Sequence, residues 1–181
     1  MNQTLLENLE TPTWRDFLEM CKPRVVLLML LCSLVGMFLA SEAFVPLDIL
    51  ILGNIGIALV AGSAAALNHL IDSRIDAKMD RTKNRPVAQG RVKPLHGAVF
   101  VGVSGTAGIC ILAFYINPLT AWLNFASWLG YGVIYSIYLK RMTPQNIVIG
   151  GLFGAAPPLF GWTAVTGSID GGGLILVLII F

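Results

Sequence analysis

The sequence predicts an all-α protein, a polytopic transmembrane helix bundle of five full spans plus a truncated sixth, and three observations carry that expectation. Of the 181 residues, 56% are apolar and 12% charged, against about 25% charged in an ordinary soluble domain. The apolar residues come in blocks near the roughly 20 that a helix rising about 1.5 Å per residue needs to cross a bilayer. Cations, finally, fall only on alternate connections between those blocks. Composition therefore excludes a soluble cytosolic enzyme, and a net charge of +2 leaves no electrostatic footprint for nucleic acid.

The spans are the long stretches free of Lys, Arg, Asp and Glu: Val25 to Ala40, Ile49 to Ile71, Ala98 to Tyr115, Leu119 to Leu139 and Ile147 to Val165. A sixth run, Leu174 to Phe181, covers only about 12 Å as a helix and cannot cross the hydrocarbon core. It is expected to be a transmembrane helix cut short, in a chain that by itself is inactive. Residues 1–24 form an N-terminal segment without the pattern of a signal peptide. Within it Trp14, Phe17, Leu18 and Cys21 recur at i, i+3, i+4 and i+7, with Thr13 and Asp16 in capping-box spacing. This reads as a short interfacial helix, with a frayed tail as the alternative. The membrane domain is 25–181 and contains a loop, 68–97, that carries the chemistry.

All 12 basic residues lie on one side of this topology. Arg15, Lys22 and Arg24 precede the first span, seven lie between the second and third, and Lys140 and Arg141 join the fourth and fifth. The opposite connections hold only Glu42, Asp48 and Asp170. Cytoplasmic loops are the ones enriched in Lys and Arg. The expected placement is a multi-pass protein of a bacterial inner membrane with a cytoplasmic N-terminus. Cys21, Cys32 and Cys110 have no metal, haem or disulfide spacing and read as packing residues.

The informative stretch runs from Asn68 to Pro86 at the end of the second span. Asn68, Asp72 and Asp76 recur every four residues; each step turns a helix by about 400°, so all three face one way within about 80°. Carboxylates one turn apart repel, and more strongly near lipid. One reading pairs Asp72, Asp76 and Asp80 with Arg74, Lys78, Arg81 and Lys83 on a solvated helix. The other is a magnesium site, since Mg²⁺ takes oxygen ligands and is bound through one or two carboxylates plus substrate phosphates. Carboxylates beside cations at a membrane surface describe a site for a diphosphate with a lipid tail.

These residues resemble a known family. Asn68-x3-Asp72-x3-Asp76 followed by Arg81-Thr-x2-Arg85-Pro86 is similar to the first aspartate-rich motif of the UbiA superfamily of intramembrane prenyltransferases. Lys22-Pro23-Arg24, the Gly62 to His69 run, and Lys140 to Gly151 with Gly154-Ala-Ala-Pro157-Pro158 extend the likeness over the chain from Lys22 onward. The Thr143 to Gly151 run resembles the haem-modifying branch. The resemblance implies a helical bundle around a lipid-open cavity. It also implies transfer of the farnesyl group of farnesyl diphosphate to a vinyl group of haem B, with Mg²⁺ as cofactor and haem B as substrate. On this analogy Asp72, Asp76 and Arg85 are catalytic and Asn68, Asp72 and Asp76 hold the metal. Arg81, Arg85, Lys140 and Arg141 clamp the diphosphate, joined by Lys22 and Arg24, which could equally meet anionic lipid. A family member acting on a quinone precursor, or a non-catalytic channel or assembly subunit, are the alternatives; an ion path would put ionisable residues near span midpoints.

Other residues carry weaker signals. Trp128, Tyr131, Tyr135 and Tyr138 form a stripe that lines a pocket or makes an interfacial belt. His69 sits about 100° from the aspartate face, as a pocket or packing residue or a haem ligand. Gly150 and Gly154 suggest close helix packing, Pro157-Pro158 a break. Asn54 and Asn124 are expected to bond across the bundle, and His96 to be solvated.

Overall fold

A computed structural model describes residues 12–139, 142 and 145–181. The helices are α1 Trp14–Met20, α2 Pro23–Ala40, α3 Leu47–Asp76, α4 Pro94–Ile111, α5 Pro118–Trp128, α6 Asn146–Ala155, α7 Pro157–Thr166 and α8 Gly171–Ile180. α4 continues in a wider π-type winding over Leu112–Ile116, and α5 over Leu129–Leu139. No strand occurs among the described residues. Proline opens α2, α4, α5 and α7, where its missing amide costs nothing and its fixed φ suits the first turn.

Four helices are long and apolar enough to cross a membrane: α2, α3, α4 with its extension, and α6 with α7. The span expected over 119–139 is helical throughout, though Asn124, Ser127, Ser136 and its aromatic hydroxyls and indoles make it more polar. Buried shares of the spans decide the layout: 50% for α3 against 17% for α2 and 22% for α4. α3 is the central helix, and its Gly53, Gly56, Gly62, Ser63 and Ala64–Ala66 stretch presents small residues to its neighbours. Leu27, Leu28, Leu31, Phe38 and Leu39 of α2 face outward, as lipid contact requires.

Close backbone approach occurs at positions other than the expected pair. A Cβ on Gly36 would stand 2.1 Å from the Pro158 carbonyl oxygen, and one on Gly161 2.0 Å from that of Ser33, so α2 and α7 touch backbone to backbone. Gly56 and Gly108 do the same for α3 and α4. Of the expected Gly150 and Gly154, the first meets only the Tyr135 ring and the second has open space. Helical winding is interrupted at Ala156, just before Pro157 and Pro158 remove amide donors, and it is Pro158 and Gly161 of α7 that meet α2. Asn124 likewise donates to the Thr120 carbonyl of its own helix at 2.9 Å. Asn54 bonds its own Leu50 carbonyl at 2.7 Å and reaches only the Met37 sulfur across the bundle.

The end of the bundle that carries α1 is closed by the connection between α3 and α4. α3 stays helical to Asp76, so Asn68, Asp72 and Asp76 stand on a helix and the irregular part of 68–97 is 77–93. Met20, wholly buried, packs α1 with Val87 and Val92 of this connection and Ala66 of α3.

Candidate active site

Helical winding to Asp76 brings the three motif side chains inward, with relative exposures of 5% for Asn68, 2% for Asp72 and 5% for Asp76. Buried carboxylates need charge or hydrogen-bond partners. Asp76 accepts from Arg85 Nη1 at 2.6 Å, and its carbonyl accepts from Thr82 Oγ1 at 3.1 Å. Asp72 Oδ2 accepts from the Asn68 amide at 3.1 Å. Asn68 also donates to Ser136 Oγ at 3.1 Å and accepts from Lys22 Nζ at 3.1 Å. One cation thus adjoins each end of the ladder.

These partners differ from those of the solvated-helix reading. Only Asp80 follows it: fully exposed, it pairs with Lys83 at 2.9 Å. Arg24 and Arg81 are exposed and make no hydrogen bond or ion pair with a described residue, so of the expected clamps the structure brings Lys22 and Arg85 to the ladder. Lys140 and Arg141 lie outside the described residues.

Beside the ladder lies a cavity of about 470 Å³ between α2, α3, α5, α6 and α7, lined at its polar end by Lys22 and otherwise mainly by apolar and aromatic groups. Cys21 and Cys32 are in its wall, and burial pushes the Cys21 thiol above its ordinary value, leaving it a neutral packing group. Trp128, Tyr131, Phe153 and Phe160 supply the aromatic lining. Tyr131 stacks on Tyr135 with ring centroids 5.5 Å apart, so Tyr135 supports the wall from behind. Tyr138 is 58% exposed, as an interfacial belt residue would be. His69 is buried, does not line the cavity, and neither ring nitrogen has a hydrogen-bond partner. His96 is exposed.

Several contributors escape sequence reading. Ser136 looks like an ordinary small residue in an apolar helix, yet it accepts from Asn68 while donating to the Tyr131 carbonyl five residues back at 2.9 Å. That bond belongs to the π-type winding, which no spacing in the sequence announces. Ser63 receives the Trp128 indole at 3.0 Å and donates to the Val101 carbonyl at 2.9 Å; a serine in a small-residue run could have signalled such a support. Arg91 reaches Asp16 and Glu19 of α1, 75 and 72 residues away.

Among the described residues no cluster of three or more His, Cys, Asp and Glu groups is placed to hold a metal ion. The ladder offers two carboxylates and an amide oxygen, a hard donor set. Such a set suits a Mg²⁺ that keeps waters and shares substrate phosphate oxygens, and would not suit zinc.

A helical bundle of long apolar helices with an acidic ladder, flanking cations and an apolar cavity defines an integral membrane protein. The chain belongs to the UbiA prenyltransferase family, whose pattern matches residues 29–181. It is 60% identical to a protoheme IX farnesyltransferase of Saccharophagus degradans over 99% of this chain and 59% of that protein. Against those of Teredinibacter turnerae and Ectopseudomonas mendocina it is 62% and 59% identical, over 93% and 100% of this chain and 54% and 60% of theirs. The chain therefore spans between a half and two thirds of the length of these curated relatives. No solved structure matches it.

Proposed function

We propose that this chain serves the transfer of a farnesyl group from farnesyl diphosphate to a vinyl carbon of haem B, in a bacterial inner membrane with its N-terminus and basic connections cytoplasmic. The carrying observation is the Asn68–Asp72–Asp76 ladder held between Lys22 and Arg85, with Lys22 also lining an apolar cavity. The names of the relatives supply the prenyl group and its acceptor.

Asn68, Asp72 and Asp76 would hold Mg²⁺, which stabilises negative charge on a departing diphosphate. Lys22 and Arg85 can turn from their present oxygen partners to diphosphate oxygens and bind the same developing charge. Heterolysis of the allylic C–O bond leaves its electron pair on the diphosphate. The vinyl π pair then forms the new C–C bond; water captures the resulting cation and releases a proton to solvent. Trp128, Tyr131 and Phe153 face the path of the isoprenoid and offer π faces to a cation, and the apolar wall excludes water from the allylic centre.

The test replaces Asp72 or Asp76 by Asn in the full gene product and follows haem B in membranes by mass spectrometry. Loss of about 10²-fold or more is expected for a group that stabilises transition-state charge, with the protein still inserted and folded. Turnover within about tenfold of wild type would sink the role of the ladder. Conversion of aromatic quinone precursors in place of haem B would move the acceptor assignment to another branch of the family.

A further inference from the structure

Resting on the farnesyl-transfer reading, we propose that α1 is a strap that positions both cations of the site, with Arg91 as its positioning residue. Arg91 gathers two elements. Its Nη1 pairs with Asp16 Oδ1, Nη2 approaches Glu19 Oε2 at 3.4 Å and donates to the Asn84 carbonyl at 3.0 Å, and Nε donates to Gln89 Oε1 at 3.0 Å. Asn84 immediately precedes Arg85. The following turn closes on itself, with the Gln89 amide on the Arg85 carbonyl at 3.0 Å and the Val92 amide on the Pro86 carbonyl at 3.2 Å. Residues 84–92 therefore move as a unit, and the guanidinium that reaches Asp76 moves with them.

The other end of α1 fixes the second cation. Lys22 comes directly after Cys21, the C-cap of the helix that ends at Met20, its amide bonded to the Glu19 carbonyl at 3.1 Å, and its amine is the one on Asn68. Met20, packed with Val87 and Val92, seats the strap on the turn that it holds. The capping box of α1 accounts for Asp16 Oδ2, which accepts from Thr13. It does not account for Oδ1, which is given to Arg91 across the chain. Acting through Arg85 and Lys22, the strap sets the separation of two groups that must meet one diphosphate.

The test compares Arg91→Met and Arg91→Lys with wild type in the full gene product, using farnesyl diphosphate and haem B kinetics together with amide hydrogen exchange on the ligand-free protein. A displacement of about 1 Å can cost 10²-fold in rate, so Arg91→Met is expected to raise KM for farnesyl diphosphate or lower kcat about tenfold or more, without raising KM for haem B. Exchange at Gln89, Gly90 and Val92 is expected to speed up about tenfold or more, and Arg91→Lys to recover part of both effects. Should Arg91→Met fail to fold, Asp16→Asn neutralises the same pair and is read the same way. Unchanged exchange overturns the strap, and faster exchange with unchanged kinetics reduces it to a structural contact and overturns the positioning role. Absence of any farnesyl transfer by wild type would instead sink the functional reading, while exchange still decides whether α1 holds the turn.

Discussion

Lys22 concentrates the demands of the site on one residue. Its backbone is left-handed, φ 52° and ψ 63°, the only positive φ of a non-glycine among the described residues. With a Cβ present that conformation costs roughly 1–2 kcal/mol, and strain of this kind persists only where surrounding structure enforces it. Here the chain must turn from α1 into α2 within the two residues before Pro23, while keeping an amine on Asn68. A glycine would make the turn more easily and lose the amine. Lys22→Gly and Lys22→Ala both remove the amine, and both are expected to cut turnover. The glycine variant should nevertheless be the more stable of the two by roughly 0.5–1 kcal/mol, after its greater chain entropy is subtracted. Unfolding of the two variants in the same detergent measures this, and an alanine variant as stable as the glycine one would show that position 22 stores no strain.

At the scale of elements, α1 joins the bundle through ionised groups and so responds to acid. The Thr13 hydroxyl and amide bonds, helped by the Arg91 guanidinium, outweigh burial and hold the Asp16 carboxyl below its ordinary value. A lowered folded pKa means that the carboxylate contributes its full stability above the unfolded value of about 3.9 and loses it as pH falls below that value toward the folded one. Undocking of α1 is therefore expected in that acid range, ahead of any loss of the spans. A nitroxide at exposed position 15 should gain mobility there, and Asp16→Asn should be mobile already at neutral pH. The sequence exposed the spans to within a few residues because lipid imposes length and polarity on every one of them. It exposed the ladder because four-residue spacing is geometry that a helix preserves. It did not expose the partners: Asp76 could have met any of several cations, and the choice of Arg85 depends on the fold of 77–93. Arg91 and Asp16 are joined only by the way α1 lies across that turn, and the Gly36 and Gly161 contacts by the way α7 lies against α2. Nor does any local pattern mark the π-type winding that turns Ser136 to Asn68.

For the whole molecule, the two ends of the bundle differ in kind. One end gathers α1, Lys22, the ladder, Arg85 and Arg91, which includes every ion pair that the described residues form. The other end is tied by hydrogen bonds, with no ion pair among the described residues: Thr120 and Thr163 share a hydroxyl bond of 2.9 Å, Asn117 caps α5 and reaches the Thr163 carbonyl at 2.9 Å, and the Asp170 carboxylate caps α8. A diphosphate donor made in the cytoplasm would meet the charged end, provided the charged end faces the cytoplasm. The positive-inside rule requires the same orientation for an independent reason, since it acts through charge during insertion and not through function. Single cysteines at Lys78 and Ser168, in a background where Cys21, Cys32 and Cys110 are replaced by alanine, separate the cases. A membrane-impermeant thiol reagent added to intact cells should label position 168 and reach position 78 only after the membrane is opened. Labelling of 78 in intact cells would invert the bundle, leaving the ladder and Arg85 on the side away from any cytoplasmic diphosphate, and the proposed donor would have no route to the site.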